Sequence, residues 1–262
     1  MKLVHVTDLH TVPPGDRLYG LDPAERLDTV IAAINRDHGD AEICVFTGDL
    51  ADKGDAASYA QLRDCLQALA VPYRLLLGNH DNRAAFLEVF TDHSRDAHGF
   101  VQSFHDCAAG RLIFLDTLVE GHGYGALDQG RLDWLAACLE DASTTPAYIF
   151  THHPLSPIGL PHFEPYGLND SAAIMDRVLA AGTVRHVFFG HVHVDANGSW
   201  RGVPFSCNRG VAHQIEPNLS RSEAIFIAGA PTFSVALIDE HDVLINRFDA
   251  SEPVVIGQWP PK

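Results

Sequence analysis

Five times along this chain a short apolar run suited to a buried strand stops at a polar cluster. Lys2 to Thr7 leads into Asp8 and His10, and Ile43 to Thr47 into Gly48-Asp49. Tyr73 to Leu77 leads into Gly78-Asn79-His80-Asp81, Ala147 to Thr151 into His152-His153-Pro154, and Val184 to Phe189 into Gly190-His191-Val192-His193. Helical signals fill the intervals. Asp22 as a cap, Pro23 at the first helical position, Glu25 completing a capping box and Gly39 as a stop define one helix. Others are expected from Ala56 to Ala70 behind Asp55, around Arg83 to Phe90, from Asp128 to Leu139 and from Ser171 to Ala181. Strands alternating with helices predict an α/β architecture with helices covering the sheets. In open α/β sheets ligands bind beyond the carboxyl ends of the strands, which is where all five clusters fall.

The remaining segments predict mixed rather than purely parallel sheets. Phe100 to Cys107 and Arg111 to Asp116 read as a hairpin turning at Ala108-Ala109-Gly110, and Ser199 to Pro204, Thr232 to Ile238 and Val243 to Phe248 as antiparallel strands. A length of 262 residues allows one large domain or two small ones, either able to bury a core. No apolar run approaches the ~18 residues of a membrane span, and Met1 to Asp8 lacks the long apolar segment of a signal peptide. Five scattered cysteines without a C-x-x-C pair read as reduced thiols, so a cytoplasmic protein is expected. The net charge of −16 excludes broad contact with a nucleic-acid polymer. It still admits a small phosphorylated substrate where a local cation reverses the field.

Sixteen histidines are the unusual entry in the composition. Together Asp8, His10, Asp49, Asn79, His152, His191 and His193 offer two carboxylates, one amide oxygen and four imidazoles. Such an N/O donor set without sulfur suits Fe, Mn, Zn or Co. Singly, each cluster is ordinary: Gly78-Asn79 is a turn signal, and a His-Val-His strand end needs no ligand. His153 reads most simply as a packing or supporting histidine, and Phe163 and Tyr166 as anchors of their loop. Arg201, Arg209 and Arg221 read as solvated rim charges. His122 and His162, on long Gly/Pro-rich loops, are the likeliest of the remaining histidines to reach a site.

In order, Asp-x-His, Gly-Asp, Gly-Asn-His-Asp, a further His and Gly-His-x-His resemble the calcineurin-like metallophosphoesterase superfamily, over about 70% of the chain from Asp8 to His193. Leu18-Tyr19-Gly20, His152-His153-Pro154-Leu155 and His213-Gln214 resemble its bacterial glycerophosphodiesterase and class III cyclic-nucleotide phosphodiesterase group. The resemblance implies a four-layer α/β/β/α sandwich. It also implies two divalent ions, one held by Asp8, His10, Asp49 and His193, the other by Asp49, Asn79, His152 and His191. Two such ions bring +4 and the two carboxylates −2, so the site attracts phosphate despite the overall charge. The implied reaction is hydrolysis of small phosphodiesters, cyclic nucleotides or glycerophosphodiesters, with metal-activated hydroxide as nucleophile. Asp49 and His80 would be catalytic, and His80, His213 and Tyr19 would meet the substrate. A phosphomonoesterase or dinucleoside-polyphosphate hydrolase on the same scaffold is the alternative, and a non-catalytic partner-binding scaffold a remote third. Residues 1–200 are expected to form the catalytic core and 201–262 to complete the sandwich. Within the latter, about 207–231 would cap the substrate or pack on a neighbouring subunit of a homo-oligomer.

Overall fold

Period-two alternation sorts the strand residues into separate cores, and those cores define the layers. The computed structural model describes residues 1–142, 144–251 and 256–257, so the ends of the expected 201–262 segment (252–255 and 258–262) lie outside the described residues. The first half runs β1 (Lys2–Val6), α1 (Pro23–His38), β2 (Ile43–Thr47), α2 (Ala56–Leu66), β3 (Tyr73–Leu76), α3 (Arg83–Val89), β4 (Ser103–Cys107) and β5 (Gly110–Phe114). Then come α4 (Gln129–Asp141), β6 (Ala147–Phe150), a 3-10 turn at Glu164–Tyr166, α5 (Ser171–Ala181) and β7 (Val184–Phe189). All the remaining elements are strands: β8 (Ala196–Trp200), β9 (Val203–Cys207), β10 (Gln214–Ile215), β11 (Phe226–Ile227), β12 (Thr232–Ile238) and β13 (Val243–Asp249).

One sheet has the order β13-β12-β1-β2-β3 and the other β4-β5-β6-β7-β9-β8, with β10 and β11 forming a separate small ribbon. On β1 and β2, Val4, Val6, Cys44 and Phe46 pack with Leu27, Ile31, Leu62 and Leu66 of α1 and α2. On β5 to β7, Ile113, Ile149, Val187 and Phe189 pack with Leu135, Leu139 and Val178 of α4 and α5. The alternate residues, Leu3, Ile43, Val45 and Leu76 on one side and Leu112, Tyr148, Phe150 and Phe188 on the other, form the core between the sheets. The result is the expected helix–sheet–sheet–helix sandwich with mixed sheets.

Strands β1, β2 and β3 are parallel, as are β5, β6, β7 and β9. Each sheet therefore lines up the carboxyl ends of its parallel strands along one edge. Capping follows the local sequence: Asp22 accepts the N–H groups of Ala24 and Glu25, and Asp55 that of Ser58. Two boundaries depart from expectation. Helix α2 stops at Leu66, four residues early, because Ala68 and Leu69 turn off through short backbone bonds to Cys65 and Leu66. Ser199 to Pro204 is not one strand. Arg201 and Gly202 both take left-handed backbone (φ 50° and 94°), the two-residue turn that a hairpin of right-twisted strands demands, and join β8 to β9.

Three histidines away from the strand ends, His5 and His186 buried and His93 half-buried, stay neutral. Burial, helped by His186 and Arg247, lowers His5 to about 3. Burial lowers His186 to about 4 and His93 to about 4, the latter against its bond to the Leu75 carbonyl. Once unfolded, each takes up a proton near 6.5, so between pH 6.5 and about 4 the unfolded chain binds more protons than the folded one. Stability is then full above pH 6.5 and falls as pH drops, by ~1.4 kcal/mol per pH unit for each such imidazole. Urea unfolding at pH 7, 6 and 5 measures this slope. His93→Gln keeps a donor for Leu75 and is expected to remove one such share; an unchanged slope would refute the assignment.

Candidate metal centre

All five polar clusters meet where the carboxyl edges of the two sheets adjoin. β1, β2 and β3 deliver Asp8 and His10, Asp49, and Asn79 and His80; β6 and β7 deliver His152, His191 and His193. The backbone at this edge is unusual. Asp8, His10, Asp49, His191 and His193 all have positive φ, between 41° and 74°, where non-glycine residues cost free energy. Only three other non-glycine residues do so among those described: Tyr19, Asp170 and Arg201. The left-handed turns direct several side chains inward from one edge, where extended strand would send successive ones to opposite faces.

Asp8, His10, Asp49 and His193 present ligand atoms within 4.8 Å of one another, all four buried. Beside them, Asp49 Oδ1 lies 3.4 Å from His152 Nε2, and Asn79 Oδ1 lies 3.0 Å from His152 Nε2 and 2.8 Å from His191 Nδ1. The far side of each ring is already committed. His152 Nδ1–H donates to the Thr47 carbonyl, His191 Nε2–H to that of Tyr166 and His193 Nδ1–H to that of His213. These bonds fix which nitrogen of each ring faces inward, so that once deprotonated it points its lone pair into the cluster. Potential ligand atoms therefore crowd together: His193 Nε2 lies 3.1 Å from His10 Nε2, and Asn79 Oδ1 lies against the inward nitrogens of His152 and His191. Asp8 Oδ2 is buried with no hydrogen-bond partner. Such a convergence of carboxylate, amide and imidazole atoms, one carboxylate oxygen of it without a partner, fits a cation, and the mixed N/O set fits a divalent transition metal.

The electrostatics agree. Burial opposes charge on His152, but Asp49 outweighs it and raises this imidazole to about 9. His10 is also raised, its burial overcome by Asp52, Asp49 and Asp8. Burial likewise opposes charge on Asp49, yet His152, His80 and His10 hold its carboxyl well below the usual range. A buried anion that retains protons on its neighbours marks a place where positive charge is favoured.

Around this cluster opens a cleft of about 430 Å³. His80 lies on it half-exposed, its backbone N–H donating to Asp49 Oδ1 and its Nδ1–H to the Asp52 carbonyl. His213 packs its ring 4.3 Å from that of His193, and Tyr19 lies 5.1 Å from His213 on the rim. His162 lines the cleft, whereas His122 is exposed outside it. His153 does not reach it: its Nε2–H donates to Gly123 and its Nδ1 accepts from Thr117, as a packing histidine would. Asp52 was not among the expected site residues. Its carboxylate lies 3.4 Å from His10 Nδ1 and its carbonyl holds His80, and its place three residues beyond Asp49 was the available signal. Asp81, the last residue of Gly-Asn-His-Asp, accepts the N–H groups of Leu50, Ala51 and Gly78 and the Tyr59 hydroxyl, tying the Asp49 loop to the Asn79 loop.

A family profile described as calcineurin-like phosphoesterase matches residues 1–195. The chain belongs to that family. This phosphoesterase is 40% identical over 218 residues to a probable cyclic nucleotide phosphodiesterase of Rhodopseudomonas palustris, covering 82% of this chain and 80% of the relative. It is 29% identical to the glycerophosphodiester phosphodiesterase GpdQ of Enterobacter lignolyticus, over 82% of this chain and 79% of that one. Among solved structures, a dimetal phosphatase from Danio rerio shares the fold with a TM-score of 0.72 and 15% identity, each chain covered to 96%. No helix among the described residues is long and apolar enough to cross a membrane.

Proposed function

We propose that this phosphoesterase hydrolyses small phosphodiesters, cyclic nucleotides or glycerophosphodiesters, at a centre of two divalent cations of the Fe, Mn, Zn or Co type. Asp8, His10, Asp49 and His193 would hold one, and Asp49, Asn79, His152 and His191 the other. The observation that supports this reading is the set of inward ring nitrogens held in place from behind by carbonyls, around two buried carboxylates. When bound, such a pair of cations neutralises phosphate charge and acidifies water at neutral pH. The names of the two relatives supply the substrate classes.

The protein's own groups do the rest. His80 stands over the centre with Nδ1–H anchored on the Asp52 carbonyl, which leaves Nε2 free to face the cleft. In its doubly protonated form the ring would donate the Nε2 proton to the departing oxygen as water attacks phosphorus, gives up its own proton to solvent, and the P–O bond to that oxygen breaks. The ring then recovers a proton from solvent, to which it is 42% exposed. His213 and Tyr19 border the substrate on the side of His193.

The cleft also supports a diester over a monoester. Among the described residues lining it there is no lysine or arginine, so no fixed cationic side chain meets the second charge of a monoester dianion. With bis(p-nitrophenyl) phosphate and p-nitrophenyl phosphate compared on metal-reconstituted enzyme, kcat/KM is expected to favour the diester by about tenfold or more, the scale of ~1.4 kcal/mol. Faster turnover of the monoester would overturn the diesterase reading.

A further inference from the structure

The segment expected either to close over substrate or to meet a neighbour folds back on its own chain as an arm. Its first leg, Val211 to Ile215, bonds to the metal-centre loop through Val211 N–H to Thr7 and Ala212 N–H to Asp8. Its second leg pairs with the first through Ile227 opposite Gln214 and Phe226 opposite Ile215. A single guanidinium clasps both legs at the base. Arg26 of α1 donates Nε–H to the Val211 carbonyl (2.7 Å) and Nη2–H to the Gly229 carbonyl (2.5 Å). Among the described residues its hydrogen-bond partners are these two carbonyls, and no carboxylate is paired with it.

What the arm presents is aromatic. Phe226 stacks on Tyr19, centroids 4.9 Å apart and planes within 16°, and both rings stand edge-on to His213 at 5.1 Å. Tyr19 is 62% exposed and Phe226 49%. Tyr19 also has φ 52°, a backbone region that a bulky aromatic residue avoids unless its surroundings hold it there. Across the cleft, Phe163 and Tyr166 stand singly and not as a stacked pair, and Tyr166 is itself 49% exposed. Phe163 lies against His191, and Tyr166 covers Gly123 so closely that a Cβ there would come within 2.8 Å of its ring. Between the centre and the Tyr19–Phe226 pair lies one imidazole width, that of His213. In a nucleoside cyclic phosphate, one ribose ring likewise separates phosphate from base.

We propose that Tyr19 and Phe226 form a stacking wall for a planar substituent of the diester, a nucleobase, and that Arg26 is the positioning residue that holds the wall in place. The inference rests on the diesterase reading and selects the cyclic nucleotides within it. The glycerol moiety of a glycerophosphodiester offers hydroxyls, for which two ring faces supply no partner. A base offers a π-face, and stacking on an aromatic side chain is sequence-tolerant and substantial.

The test compares the parent with Phe226→Ala, Arg26→Ala and the double variant. Two measurements are made: steady-state kinetics on cyclic AMP and on base-free glycerophosphoglycerol, and binding of adenosine to the metal-free protein by equilibrium dialysis. Phe226→Ala is expected to raise KM for cyclic AMP about tenfold, with kcat held within about twofold and glycerophosphoglycerol kinetics unchanged. It is expected to weaken adenosine binding by the same factor. Arg26→Ala should reproduce both effects, and the double variant should be no worse than Phe226→Ala alone, because the two act through one contact. Equal effects on both diesters, no effect on either, or unchanged adenosine binding would overturn the proposal. Should Arg26→Ala fail to fold, adenosine binding by Phe226→Ala and Tyr19→Ala still decides the wall. A parent that hydrolyses no diester but binds adenosine through Phe226 would remove the diesterase reading and leave the wall standing.

Discussion

Asp49→Asn is expected to lower phosphodiester hydrolysis more than about 100-fold while the protein stays folded. Losing even an outer partner of a metal ligand typically costs 10–100-fold, and Asp49 stands at the centre of the cluster rather than behind it. Asn is the informative replacement. It tolerates the left-handed backbone that Asp49 adopts (φ 47°), and it keeps an oxygen to accept the His80 N–H. What it removes is the negative charge between His10 Nε2 and His152 Nε2, 3.5 and 3.4 Å from the two carboxylate oxygens. Metal content measured by atomic absorption should fall together with activity. A variant that hydrolyses diesters at the parent rate would refute the shared-carboxylate centre.

Gly78→Ala tests the same centre without replacing any ligand. A Cβ at position 78 would overlap the Asp49 carboxylate and its backbone nitrogen and come within 2.7 Å of His152 Cε1. These neighbours are a buried loop and a buried ring, so the strain is expected at ~1–3 kcal/mol. Relief requires Asp49 and His152 to move apart, and a displacement near 1 Å can cost about 100-fold in rate. The expected result is therefore a loss of activity of that order with a modest fall in melting temperature. Gly130→Ala is the control. Its Cβ would meet only Asp128 Oδ1, at 3.4 Å, in the first turn of α4. It should keep full activity and match or slightly exceed the parent in stability. Equal behaviour of the two variants would show that the packing of Gly78 against Asp49 does not matter.

The seven donors were legible in the sequence because each sits within four residues of the end of its strand, so reading the strand places the side chain. The layers were legible for a related reason: alternation within β1, β2, β6 and β7 is local, and it states which residues face helix and which face the other sheet. The partners that lock the histidines were not. The carbonyls of Thr47, Tyr166 and His213 carry no side-chain signature, and any residue could supply them. Phe226 was hidden differently. In sequence it belongs to an apolar run that suggests burial or a subunit interface; in the fold it is exposed on an arm, and its stacking on Tyr19 spans more than 200 positions. The turn at Arg201-Gly202 was masked by the strand-like residues on both sides of it.

Five of the proposed ligands sit on backbone that glycine would occupy with less cost, of order 1 kcal/mol or more at each position. Residue by residue, the chain is poorly suited to its own turns at the place where it acts. A search for variants that survive heating, scored on survival alone, would have no reason to keep these side chains and would be expected to return proteins without the chemistry. Aspartate and histidine in these five turns are thus accounted for by the donor atoms they carry and not by the backbone they must adopt.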